Sequence, residues 1–209
     1  MFSASIPFNP FRVQRLVLTM NLLLDQYLLF RVKKRRDREA YGQIYDRYVK
    51  QIYRFVYLKL PTKETAEDVT SEVFLSAWKY LQSEVEVRNL RALLYRIARN
   101  LVVDYHRKET AKKEQSVTFD GSDTSSLSEG EFSDQSRGKS LIEARADMAI
   151  LLERISRLKE DYHDVLILRL IDGLTFADIA QVLDKTPGNV RVIYHRAMKA
   201  LDQLITPHP

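Results

Sequence analysis

The chain has no cysteine. Disulfide scaffolds, thiolate metal sites and cysteine catalysis are therefore excluded. Its four histidines show neither an HExxH pattern nor paired spacing, which argues against a zinc site. A long apolar run is missing too. The greasiest stretch, Leu16 to Leu24, is interrupted by Asn21 and followed by Asp25 and Gln26. A membrane-spanning helix needs roughly 20 apolar residues. Arg12 and Arg15 precede this stretch as in a signal peptide, yet no small-residue cleavage site follows it. The expectation is a soluble, cytoplasmic chain with no membrane insertion. Residues 1–24 then form an N-terminal extension whose first 19 residues are weakly structured, with Met20 an alternative start. Strand-like alternation and internal repeats are also absent. No paired acid and base or metal spacing suggests catalysis, so catalytic residues, metal and cofactors are all expected to be none.

One further absence is local. Residues 114–136, EQSVTFDGSDTSSLSEGEFSDQS, hold six acids and seven serines but no Lys or Arg. Apolar residues there are too sparse to offset the entropy of ordering the chain, so 110–140 reads as a flexible acidic linker. It divides the 209 residues into two halves. Helical periodicity dominates both. The expected fold is all-α, with an N-terminal helical bundle over 25–109 and a C-terminal helix-turn-helix domain over 141–205.

What is present is charge sorted by helix face. The net charge is +5 and 45% of the residues are apolar. In the N-terminal half the first helix is expected from about Asp25 to Arg36. A second, carrying Tyr41, Ile44, Tyr45, Tyr48, Ile52, Phe55 and Val56 inward, ends before Pro61. A third starts at a Thr62 cap and buries Val69, Val73, Ala77, Trp78 and Leu81. Its outer face is acidic, with Glu64, Glu67, Asp68 and Glu72, and the helix N-terminus alone accounts for Glu64 and Glu67.

The fourth helix, within LRALLYRIARNLVVDYHRK, is apolar on one side at Leu90, Leu93, Leu94, Ile97, Ala98, Leu101, Val102 and Tyr105. Arg91, Arg96, Arg99, Asn100, His106 and Arg107 stand on the other, with Asp104 the single acid. A merely solvated face accounts for this stretch as well as a polyanion partner does. Ordinary solvated faces mix charge signs, however, and this one hardly does.

The C-terminal half contains LTFADIAQVLDKTPGNVRVIYHRAMKAL. Thr175 and Asp178 have the spacing of a capping box, DKT supplies a turn, and Thr186 caps a second helix with Pro187 at its first position. Val190, Tyr194, Ala197 and Leu201 face inward. Asn189, Arg191, Val192, His195, Arg196 and Lys199 face outward. This is the pattern of a helix-turn-helix whose second helix enters a DNA major groove. A helical hairpin with a basic surface is the plainer alternative.

Together DREAYGQIYDRY, TAEDVTSEVFLSAW, the fourth helix and this last motif, in that order, resemble the bacterial RNA polymerase sigma factors of the extracytoplasmic-function (ECF) group of the sigma-70 family. The resemblance covers about Asp25–Lys108 and Leu141–Leu204. It implies a subunit that binds core RNA polymerase and directs it to specific promoters. Region 2 would dock on polymerase through Asp68, Ser71 and Glu72, Ser71 standing where many relatives carry Gln. Asn89, Arg91, Arg96, Arg99, Asn100 and Arg107 would bind the minus-ten element. Asn100 and the loop Gln82–Asn89 resemble the family's pocket for an unstacked base, and Tyr95 could stack on another base or simply pack. Region 4 would read the minus-thirty-five element through Asn189, Arg191, Val192, His195, Arg196 and Lys199. Val192 and Ile193 depart from the family's usual Ser and Arg. An anti-sigma factor is a further partner that the resemblance implies. The linker would thread toward the RNA exit path or act as a plain tether. A stand-alone helix-turn-helix regulator is the alternative function, and an enzyme with a DNA-binding appendage is a third.

Overall fold

The computed structural model describes residues 10–83, 85–115, 148 and 150–205. All regular structure among them is helical. Helix α1 spans Pro10–Arg35, α2 Arg38–Tyr57, α3 Lys63–Leu81 and α4 Leu90–Gln115. Residues 150–156 form α5. Helix α6 (Glu160–Leu166) runs into a π-helical turn, Ile167–Ile171, and α7 (Phe176–Leu183) and α8 (Pro187–Ile205) close the chain.

Two expectations need correction. Helix α1 starts at Pro10 rather than near Asp25, so the stretch expected to be weakly structured is helical from residue 10. The C-terminal part of that helix anchors it: Leu28, Leu29 and Val32 are buried, while Met20, Leu23, Tyr27 and Phe30 are exposed. Helix α4 runs on to Gln115, past the start of the expected linker. The rest of that linker, 116–140, and the first residues of the expected C-terminal domain, 141–147, lie outside the described residues.

Local chemistry explains the element boundaries. Asp37 caps α2 by accepting from the Ala40 amide at 3.1 Å. Arg31 holds the same carboxylate at 2.6 Å. Thr62 caps α3, accepting from the Thr65 amide. Helix α2 buries Ala40, Ile44, Tyr48, Ile52, Phe55 and Val56, which recur at steps of three and four and so make one stripe. Helices α3 and α4 pack against that stripe. Tyr41 donates to the Phe74 carbonyl, and its ring meets Trp78 edge-on at 4.9 Å between centroids.

The two modules are not separate in space. Helix α7 packs on α4, and the buried apolar residues of both halves form one cluster. The N-terminal half of α4 is therefore enclosed on two sides. Tyr95 is fully buried and packs edge-on against Phe55 at 5.3 Å. It cannot stack on a nucleic-acid base from there; it is a core residue.

Candidate nucleic-acid interface

Helix α7 opens with a complete capping box. The Thr175 side chain accepts from the Asp178 amide, and the Asp178 carboxylate accepts from the Thr175 amide. Asp184 then turns the chain with φ 53°, in the left-handed region. Asp, like Asn, is one of the few side chains that enter that region readily. Thr186 accepts from the Asn189 amide at 3.2 Å and so caps α8. Val190, Ile193, Ala197 and Leu201 lock α8 onto α7 and α6.

This packing leaves the opposite face of α8 open. Asn189, Arg191, Val192, His195, Arg196 and Lys199 are all exposed. Among the described residues, Arg191, Arg196 and Lys199 make no ion pair. Arg191 rests over the Phe176 ring at 5.8 Å, with Arg169 over the same ring at 4.8 Å. Phe176 in turn meets Tyr194 edge-on. The first residue of α7 thus holds one guanidinium of α8 in place before any ligand arrives. Ile193 has joined the core.

Helix α3 presents the opposite charge. Asp68, Ser71 and Glu72 are exposed on one face, together with Glu64 and Glu67. Ser71 bonds back to the Glu67 carbonyl at 2.9 Å. Glu67 lies 3.9 Å from Lys63, whereas Glu64, Asp68 and Glu72 make no ion pair among the described residues.

The basic face of α4 is divided. Arg96, Asn100 and Arg107 are exposed, Arg107 pairing with Asp104 at 2.9 Å. Asn89, Arg91 and Arg99 are instead engaged by the second module. Asn89 caps α4, accepting from the Ala92 amide at 3.0 Å. Its amide donates to Asp178 at 2.6 Å, so one hydrogen bond joins the caps of α4 and α7. Arg91 donates to the Asp172 carbonyl and lies 6.0 Å from the Tyr95 ring. Arg99 binds Asp164 at 2.8 Å, with Glu160 and Asp161 at 3.8 and 3.9 Å.

Sequence reasoning missed the acids at this junction and two of their partners. The Asp164 carboxylate is fully buried, and Lys59 pairs with its other oxygen. The Asp172 carboxylate is equally buried and pairs with Arg54. Burial alone would push the Asp164 carboxyl up. His163, 4.0 Å away, together with Lys59 and Arg99, holds it well below the ordinary carboxylate range. Asp172 goes the other way: burial pushes it up, and Arg54 offsets only part of that. One signal was available in HDVLILRLIDGL, where two acids bracket an apolar run. A carboxylate inside a core needs a cation, but the partner's identity was not local.

The π-helical turn presents Asp172 to this junction. The Asp172 amide bonds the Ile167 carbonyl five residues back, and Gly173 follows at φ 66°. Gly enters that region without a steric penalty. The turn shifts the register of the chain just before the helix-turn-helix.

Comparison with known proteins identifies both halves of the chain. Residues 44–112 match the family described as Sigma-70 region 2, and residues 148–201 match Sigma-70, region 4. The chain is 32% identical to the ECF RNA polymerase sigma factor BldN of Streptomyces coelicolor over 81% of its own length and 61% of that protein's. It is 27% identical to the ECF RNA polymerase sigma factor SigW of Bacillus subtilis, over 80% of this chain and 90% of SigW. Its fold is similar to that of the sigma factor RpoE of Bartonella quintana, solved in complex with the anti-sigma factor NepR. There the TM-score is 0.62 at 19% identity, covering 78% of this chain and 95% of RpoE. With both regions present in order and the helix-turn-helix in the second, the chain belongs to the ECF group of the sigma-70 family, the sigma factors of bacterial RNA polymerase.

Proposed function

We propose that this sigma factor divides its work among three helix faces: α3 docks on core RNA polymerase, α8 reads the minus-thirty-five duplex, and α4 holds the opened minus-ten element. The carrying observation is the sorting of charge. One exposed face is acidic and without ion pairs at Asp68 and Glu72, while two others are basic. A stand-alone DNA-binding regulator has no use for the acidic face.

On α8, Arg191 and Arg196 carry base readout, with Asn189 and His195 beside them. An arginine gripping guanine bidentately contributes about 1–3 kcal/mol of discrimination. Val192, 47% exposed, offers an apolar contact to a thymine methyl. Lys199 serves as a phosphate contact, which positions without specifying. On α4, Arg96, Arg99 and Arg107 neutralise phosphates. Arg91, Asn89 and Asn100 border the site for an unstacked base. Extruding a base costs a few kcal/mol, offset by the pocket and by backbone contacts.

In this reading the chain contributes recognition, and the polymerisation chemistry belongs to its partner. Its place is the cytoplasm, with polymerase and chromosome. Among the described residues no helix is long and apolar enough to cross a membrane. An anti-sigma factor is a further partner, as NepR is for RpoE. The test is in vitro transcription with core polymerase over a genomic template pool. New start sites preceded by a shared pair of elements are expected. No new start on any template overturns the proposal.

A further inference from the structure

We propose that α1 is a dimerisation helix: its outward face is a seam that pairs, antiparallel, with α1 of a second copy of this chain.

Helix α1 carries two apolar lines on opposite sides. Leu28, Leu29 and Val32 hold it to its own bundle, and its one acid, Asp25, is buried with them and pairs with Arg47 at 3.1 Å. Met20, Leu23, Tyr27 and Phe30 turn outward. From 54% exposed at Phe30 to 66% at Met20, they are the four most exposed large apolar side chains among the described residues. They follow one another at steps of three, four and three, and in the sequence the same alternation continues upstream through Leu16 and Val13. Helix α1 covers all six positions. A strict alternation of threes and fours is the heptad seam of a coiled coil, narrower than the stripe that seats a helix in a bundle. Apolar side chains scattered singly over a surface are ordinary; a contiguous row of them marks an interaction site.

The seam points to a second copy because it complements itself. An antiparallel pairing centred between positions 20 and 23 sets Met20 across from Leu23, Leu16 across from Tyr27 and Val13 across from Phe30. An aliphatic residue then meets each ring, large against small. A parallel pairing would instead set ring on ring. It would also bring Lys33, Lys34, Arg35 and Arg36 of one copy beside the same four cations of the other, which repel. Antiparallel copies hold the two clusters at opposite ends of the seam. So short a seam would not order two free helices. Here α1 is already formed on its own bundle, and association does not bear the cost of nucleating it. The expected dimer is weak and reversible. None of the residues assigned above to polymerase or promoter DNA lies on α1, so the seam is separate from both.

The test is sedimentation of the full chain over a concentration series. A dimer is expected at high concentration, dissociating on dilution. Leu23→Glu with Tyr27→Glu should raise the dissociation constant roughly 100-fold or more, because the dimer would bury four unpaired carboxylates. Both positions are exposed in the single chain, so helical circular dichroism should not change. The absence of cysteine allows the register to be read by oxidation. An equimolar mixture of Met20→Cys and Leu23→Cys chains should cross-link as the mixed pair, resolved by mass. Phe30→Cys alone should not cross-link, since 17 residues of rise would hold its two copies about 25 Å apart. A chain that stays monomeric at every concentration overturns the proposal, and binding of that monomer to vesicles of anionic lipid would assign the seam to a membrane surface instead. A dimer undisturbed by the double glutamate variant overturns the seam, and cross-linking through Phe30→Cys overturns the antiparallel register.

Discussion

Helices α4 and α8 carry the same kind of outer face and meet opposite circumstances. Both place arginines opposite an apolar stripe. On α8 that face is free: Arg191, Arg196 and Lys199 are exposed and make no ion pair among the described residues. On α4 half of it is taken by the chain's own acids. Charge pattern along a helix thus tells which ligand chemistry suits it. It does not tell whether the face is vacant. Vacancy depends on where the rest of the chain packs, and here the acids come from 65 to 89 residues away in sequence.

The largest expected effect leaves both helices untouched. Asp68→Lys with Glu72→Lys should abolish co-purification with core polymerase while duplex binding by α8 persists. Undiminished co-purification refutes the docking face. Next comes the direct contrast. Arg191→Ala should weaken full-chain binding to its promoter duplex about 5- to 150-fold, concentrated at one base pair, as about 1–3 kcal/mol implies. Arg99→Ala should change single-strand binding less, because Arg99 is already held by Asp164. Equal losses in the two variants, each on its own DNA, would erase the contrast between a free helix and a covered one. A smaller effect is expected for Lys199→Ala. It should weaken all duplex sequences alike and reduce the salt slope by about 1; a base-selective loss would reassign Lys199 to readout. Smallest is Thr175→Ala, which removes one half of the α7 capping box. It should lower stability by about 1 kcal/mol in thermal unfolding, with promoter preference unchanged. A changed preference would mean that the cap itself shapes the reading face.

Much of this was legible residue by residue. The Thr62 cap, the Thr175–Asp178 capping box, the Thr186 cap and the α2 stripe all rest on bonds or spacings within four residues. So does the exposed row on α8. The misses have the opposite character. Tyr95 sat at the edge of the α4 stripe by period, and in the fold it is fully buried against Phe55 of α2, with Asp172 of the second module close by. The start of α1 is the exception: Asn9 followed by Pro10 offers the same cap-then-proline signal as Thr186 and Pro187, and it went unread. The π-helical turn at Ile167–Ile171 adds a residue to a helical turn, a change that apolar periodicity does not register in a run broken only by Arg169. Asn89, read as a promoter contact, also has a structural task that its neighbours alone could not disclose: it joins two helix caps.

By itself the sequence determined an all-helical chain with one acidic and two basic faces, because helical period and capping are set by residues three and four apart. Tertiary structure alone decided which basic face stays open. A buried carboxylate must find a cation wherever one lies in space, and Asp164 and Asp172 found theirs on the other module.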